Sequence, residues 1–221
     1  MSEEVLIPRM KKIDRKNKKI KVPLLNIIFI FFCLCLIIAS AFINIDLHHY
    51  VLPKAVFSRN NLTSDDFIVS FCIVPQIPVL MFVCSMLGKR MAAATAFLYI
   101  IAGLTIFPLF AMGGGIQYIS EYSFGYILAY IPAVLVAGQF LKNKYSYLNI
   151  FMAALSGVLI IHCFGIIYMI IIALLKQDGG GFISGWLAYQ SGLKILYDLV
   201  LSFVFILIGR YVNAFVKFIL N

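Results

Sequence analysis

Apolar residues run along this chain in long, nearly unbroken stretches, without the alternating or one-sided patterning of a soluble domain. After a polar segment at residues 1–22, six apolar runs follow, at 23–45, 67–87, 91–110, 124–141, 148–175 and 192–219. A membrane-spanning helix needs about 20 predominantly apolar residues, and four of the runs fit that length well. The run at 124–141 is short, and the third and fourth are interrupted by Pro108 and Pro132. The fifth and sixth are long enough to tilt or to project beyond the bilayer. The pattern predicts an all-α, polytopic integral membrane protein. A basic tail at 1–22 precedes a single six-transmembrane-helix bundle at 23–221.

Composition agrees with this reading. The chain is 63% apolar and 12% charged, against nearly half and about a quarter in soluble domains. The net charge of +9 raises the question of nucleic acid, but its distribution answers it. Eight of the 18 Lys and Arg lie before residue 22, and the rest fall in ones and twos between apolar runs. No basic stripe can form from them, so the lipid bilayer, not nucleic acid, is the expected partner.

The same charges orient the bundle, because Lys and Arg concentrate in cytoplasmic loops. With the N-terminus inside, 14 of the 18 basic residues fall on the inner side: the tail, Lys89 and Arg90, Lys142 and Lys144, and Arg210 and Lys217. The outer loops then hold Lys54, Arg59 and Lys176 with Asp46, Asp65, Asp66, Glu121 and Asp178. Both termini are therefore expected in the cytoplasm, with the protein in the cell membrane. The first run is longer than a signal-peptide core and lacks a small-residue cleavage site. The outer loops also carry the more elaborate sequences. Ser64-Asp65-Asp66 reads as a helix start with acids complementing its dipole, and two Gly triplets occur at 113–115 and 179–181. The inner turns are short, so a site would face outward.

A polar group inside a span costs a few kcal/mol and needs a reason. Asp198 lies in the last run, with Lys194 four residues earlier on the same helix face. The two could neutralise each other or form a ligand site in which Asp198 accepts from ligand N–H groups and Lys194 meets an anionic end. Gln76 lies within Pro75-Gln76-Ile77-Pro78, where two prolines would free backbone carbonyls and distort the second span. Its amide offers donor and acceptor together, suited to a urea or amide or to an interhelical bond. Gly113, Gly114 and Gly115 lack the strand–loop–helix context of a phosphate loop. They read instead as a tight fold over an outward pocket, with Tyr126 supplying an aromatic wall and a hydroxyl.

Other candidates carry less. Cys33, Cys35, Cys72, Cys84 and Cys163 all sit in apolar runs without metal-site spacing, and read as small hydrophobes. His48 and His49 are expected to face water. His162 has no second ligand at helical spacing and reads as a satisfied interior histidine. Asn61-Leu62-Thr63 matches a glycosylation triplet, relevant only in a secretory pathway. There is no HExxH, no GxSxG and no acid pair within one span, so neither catalysis nor a cofactor nor a metal is expected.

The order of motifs from the second to the fourth run resembles the BioY family, the biotin-specific substrate-capture (S) components of energy-coupling factor (ECF) transporters. The resemblance is carried by Pro75-Gln76-Ile77-Pro78-Val79, Leu87-Gly88-Lys89-Arg90, Leu98-Tyr99 through Gly103-Leu104, and Pro108-Leu109-Phe110. It continues through Gly113-Gly114-Gly115, Ser123-Phe124-Gly125-Tyr126 and Ile131-Pro132, with Tyr197-Asp198-Leu199-Val200 as a closing Asp-Leu motif. It covers roughly residues 67–219. It implies a six-helix fold and a biotin pocket near the outer face, with Asp198, Gln76, the Gly loop and Tyr126 around the ligand. It also implies a transmembrane coupling subunit and two cytoplasmic ABC-type ATPases as partners. Whether such a chain works alone, as a homo-oligomer or only with that module stays open.

The chain departs from the pattern at three positions. The Gly loop has no Asn, Ile127 stands where some members carry an Arg, and Leu201 stands where a Lys usually follows the Asp by three. Lys194 is therefore the expected partner of the ligand carboxylate. The small-residue docking face is imperfect too, with Cys35 and Ala39 in the first run or Ala92 and Ala96 in the third as candidates. Two rivals follow: an S component for a different vitamin, and a membrane enzyme or assembly factor using Asp198 and His162.

Overall fold

The computed structural model describes residues 24–50, 68–105, 108–142 and 146–220. The basic tail, Ser64-Asp65-Asp66, the glycosylation triplet, Lys54, Arg59 and Lys144 lie outside them. Eight α-helices are described: α1 (Leu24–Ala41), α2 (Gln76–Leu87), α3 (Lys89–Thr105), α4 (Phe124–Leu128), α5 (Tyr130–Lys142), α6 (Tyr147–Leu175), α7 (Gly180–Ser191) and α8 (Lys194–Leu220), with a short 3-10 helix at Ile116–Ser120. Two strands, β1 (Ile45–Tyr50) and β2 (Ile68–Ile73), join α1 to α2.

Four helical stretches are long and apolar enough to cross a membrane: Leu24–Ala41, Phe124–Lys142, Tyr147–Leu175 and Gly180–Ile219. Their outward faces carry large apolar side chains such as Phe31, Phe164, Ile167 and Val200, exposed on the molecule. Such surface suits lipid, so the protein is a multi-pass membrane protein. α2 is shorter, and its buried residues lie on all sides of the helix, which makes it the central post of the bundle. It packs against α8 above all, and also against α1, α3 and α5. Small residues let the backbones approach. A Cβ added at Gly157 of α6 would lie 2.7 Å from the Met81 sulfur of α2, so glycine there is what permits the contact.

Several expected spans are redrawn. The second apolar run does not form one helix from 67 to 87. Its first part is β2, paired antiparallel with β1 from Ile45↔Ile73 to Tyr50↔Ile68. Pro75 then stands at the N-cap of α2 and Pro78 in its first turn, where a missing N–H costs nothing. The prolines start the helix; they do not kink its middle, and Gln76 is its first residue. The expected span at 91–110 is helical only to Thr105 among the described residues, and Pro108–Phe110 leave it. The expected span at 124–141 is broken at Ala129. Pro132 has no N–H to give the carbonyl of Leu128, and the ladder resumes with Ala133 donating to Ala129 at 3.0 Å. The second Gly triplet begins α7, a further helix between the fifth and sixth runs.

The two ends of the bundle differ. At one, Arg210 donates to the Leu141 carbonyl at 2.6 Å, and Lys89 packs where a Gly138 side chain would be. Lys217 lies in the same region, in a groove with Gly88 and Leu141. The other end carries the β-ribbon, the Gly113–115 turn and α7. Ala92 and Ala96 are fully buried, so they cannot form the alternative docking face. Cys35 and Ala39 of α1 are exposed.

Candidate functional site

A cavity of about 270 Å³ opens at the ribbon end, walled by β2, the start of α2, the Gly-turn region, α4, α5, α6, α7 and the start of α8. This is near the lower limit of small-molecule sites, about 300 Å³. Gln76, Tyr126, His162 and Lys194 all line it.

Gln76 faces the cavity because Pro75 begins α2 there. Its amide is held from both sides: Nε2 donates to the Tyr99 hydroxyl at 2.7 Å and Oε1 accepts from Tyr130 at 3.1 Å. Tyr99 in turn donates to the Leu109 carbonyl at 3.3 Å. One N–H and one lone pair of the amide stay free for a ligand by donor and acceptor count. Behind this network lies an aromatic wall. Tyr99 meets Phe110 edge-on at 5.4 Å and Tyr130 stacked at 6.3 Å, and Phe110 leans on Tyr118 at 4.7 Å.

A second network runs from the last helix. Asp198 is fully buried, and its Oδ2 lies 3.1 Å from Nε2 of His162. The other imidazole nitrogen, Nδ1, is 3.0 Å from Ser191 Oγ, which is 2.8 Å from the Tyr126 hydroxyl. Asp198 does not reach the cavity wall. His162 does, with the carboxylate behind it. The second carboxylate oxygen, Oδ1, has no hydrogen-bond partner among the described residues. Lys194 is almost wholly buried, and among the described residues the side chain that bonds the Asp198 carboxylate is His162, not Lys194.

The Gly triplet shapes the rim without touching the space. Gly113 and Phe110 exchange hydrogen bonds at 2.9 and 3.0 Å, and the Gly115 N–H donates to Gly103 at 2.8 Å. Gly113 and Gly115 have φ of +131° and +85°, a region that favours glycine. The cavity is lined there by Ala111 and Met112. Beneath it, a Cβ on Gly103 would sit 2.3 Å from the Phe110 ring.

The ribbon closes the remaining side. Cys72 of β2 lines the cavity opposite Asp46 of β1. It is therefore not inside a spanning helix, where its apolar run placed it. Burial first, then the Asp46 carboxylate accepting its S–H, push the thiol above its ordinary range, while Lys194 pulls the other way. The exposed side of His48 agrees with expectation. Sequence reasoning missed Tyr99, Tyr130, Ser191 and Cys72 as parts of this site and set His162 aside. Its partner Asp198 is 36 positions away on another helix, beyond any spacing rule within one segment.

The model of the BioY family matches residues 14–218, nearly the whole chain. This chain belongs to the BioY family. Among curated relatives of this BioY-family chain is one named a probable biotin transporter BioY from Lysinibacillus sphaericus. It is 31% identical over 86 residues, 38% of this chain and 44% of that protein. The match thus spans less than half the relative's length. Among solved structures, the S-component for biotin from an ECF-type ABC transporter superposes with a TM-score of 0.60 at 17% identity. The match covers 86% of this chain and 90% of that one, and shows a shared fold. Membership in the BioY family, with this shared fold, is the footing for the reading proposed below in place of an enzyme using Asp198 and His162.

Proposed function

We propose that this chain is the membrane-embedded substrate-binding component of an ECF-type transporter, capturing biotin at the ribbon end and delivering it to the cytoplasm. The observation that carries the reading is the cavity where Gln76, Tyr126, His162 and Lys194 converge on an aromatic wall, in a chain of the BioY family. Biotin's ureido ring offers two N–H donors and a carbonyl, which suit the free valences of Gln76 and the His162–Ser191–Tyr126 chain. Its thioether bicycle suits the aromatic face, and its carboxylate needs a cation.

The roles divide accordingly. Gln76 and Tyr126 contact the ureido ring, and Asp198 acts on it through His162. Lys194, replacing the cation absent at Ile127 and Leu201, meets the carboxylate. Gly113, Gly114 and Gly115 hold the rim over the ligand. The bundle crosses the membrane six times, with α2 and α3 completing the four longer spans. Both termini lie in the cytoplasm, preceded by a basic tail at 1–22. The basic end of the bundle supports this orientation. The exposed small positions Cys35 and Ala39 on α1 would meet a transmembrane coupling subunit, which works with two ABC-type ATPases. The molecule binds biotin as cargo and uses no cofactor.

Calorimetry of the purified chain against a panel of small vitamins tests the reading. Stoichiometric, sub-micromolar binding of biotin alone is expected. Binding of another vitamin in its place would make this an S component of different specificity. No biotin binding at micromolar concentration with Asp198 intact would discard the proposal.

A further inference from the structure

The charges around the cavity do not balance once an anionic ligand enters. α8 supplies the carboxylate of Asp198 and the ammonium of Lys194. Among the described residues, the other polar groups that line the cavity or bond His162 are neutral: the phenols Tyr126 of α4 and Tyr130 of α5, Ser191 and Tyr189 of α7, the amide of Gln76 of α2, and the Cys72 thiol of the ribbon. Asp46 is exposed on the ribbon, where water compensates it. With His162 neutral, Lys194 and Asp198 cancel. A ligand carboxylate on Lys194 then leaves the fully buried Asp198 without a cation, with one oxygen already unpartnered. A buried carboxylate without compensation costs several kcal/mol. Among the side chains present, only an imidazole ordinarily changes charge between about pH 5 and 8.

We propose that this chain takes up its anionic ligand together with one proton, which resides on His162 and turns Ser191 and Tyr126 into donors toward the cavity. The inference rests on the biotin reading and deepens it. Before binding, His162 Nε2–H donates to Asp198 Oδ2, and Nδ1 accepts from the Ser191 hydroxyl. Ser191 Oγ accepts from Tyr126. A proton taken from solvent by Nδ1 reverses this chain. Nδ1–H donates to Ser191 Oγ, Ser191 donates to the Tyr126 oxygen, and the Tyr126 hydroxyl, keeping its proton, turns to donate a hydrogen bond to a ligand acceptor. No contact has to move, because each link is already 2.8 to 3.1 Å long and either hydroxyl can donate. The ligand gains a donor, and Asp198 gains a charged partner.

The test is calorimetry of biotin binding to the full chain at about pH 7.5 in buffers of different ionisation enthalpy, with affinity followed from about pH 5.5 to 8.5. The expected result is uptake of about one proton per biotin on the alkaline side. Kd should rise there with pH, toward tenfold per unit for one proton bound. In H162Q, biotin still binds, more weakly, and the heat no longer depends on buffer. The chain has three histidines, so the H48Q/H49Q double variant leaves His162 alone. Its ¹⁵N imidazole signals should move to the doubly protonated position on adding biotin, a readout that does not need H162Q to fold. Biotin binding with equal heats in every buffer and a flat pH profile overturns the proton and leaves the biotin reading intact. Proton uptake that persists in H162Q, or an imidazole that stays neutral with biotin bound, overturns the assignment to His162. No binding of biotin under any condition overturns the underlying reading and this inference with it.

Discussion

At the scale of single residues, the site depends on which polar groups are held and which are left free. Lys194 is the cation nearest the cavity without an ion-pair partner among the described residues. Lys194→Ala should therefore raise the Kd for biotin about tenfold or more, the worth of a charge-assisted hydrogen bond of roughly 1.5–3 kcal/mol. An unchanged Kd by calorimetry would remove Lys194 from the site. Cys72 gives an independent probe. Its thiol titrates above the ordinary range, so it is protonated at neutral pH and the reactive thiolate grows about tenfold per pH unit below that value. Labelling by a membrane-impermeant maleimide should thus accelerate from about pH 7 to 9 and slow when biotin fills the cavity, with Cys72→Ser as the control. Cys35 and Cys163 lie on outward faces of apolar helices, where such a reagent in water does not reach. Glycines set the shape. A side chain on Gly165 would enter the Tyr126 ring, 2.4 Å from its atoms. Gly165→Ala is expected to cost about 1–3 kcal/mol from overpacking, seen as a lower melting temperature together with weaker biotin binding.

At the scale of elements, the connections between spans do the work of the site. The β-ribbon, the Gly turn, the break at Ala129 and α7 each bring one wall to the cavity, while the long helices hold them apart at fixed spacing. α7 is tethered from outside. Tyr122 donates to Asp178 at 2.7 Å and its ring meets Phe182 at 5.0 Å and Trp186 at 5.3 Å. The Lys176 ammonium sits 4.2 Å from the same ring. The far end of α7 contributes Tyr189 and Gln190 to the cavity, so loosening the tether loosens the wall. Tyr122→Ala should raise the dissociation rate of radiolabelled biotin several-fold with the fold intact. An unchanged rate would show that α7 does not restrain the ligand. Little of this was legible beforehand. The apolar run at 67–87 reads as a span because strand and buried helix share one composition. The strand exists only because β1 lies beside it to accept its hydrogen bonds.

At the scale of the whole molecule, charge and hydropathy arrange the bundle. Lys89, Lys142, Arg210 and Lys217 gather at the end opposite the cavity, and the rule that basic loops stay inside is what supports the proposal that the ribbon end faces outward. A fluorescent protein fused after Asn221 should fluoresce in cells, and a periplasmic-type phosphatase fused there should be inactive. The reverse pair of results would invert the bundle and place the cavity on the cytoplasmic side.

The sequence by itself determined the environment and the chemistry available. Long apolar runs can hide their backbone only as helices in lipid, and each polar residue left inside them carries a cost, which singles out Asp198, Lys194 and Gln76 as candidates. Pro132 likewise foretold an interruption of the run at 124–141, though not its place at Ala129. Only the tertiary structure decided which of those residues meet. Hydrogen bonds such as Asp198 to His162, Gln76 to Tyr99 and Tyr126 to Ser191 join segments 23 to 65 positions apart. Periodicity acts over a few turns of one helix, whereas these partners are chosen by how whole helices pack, and that choice put a histidine between the carboxylate and the cavity.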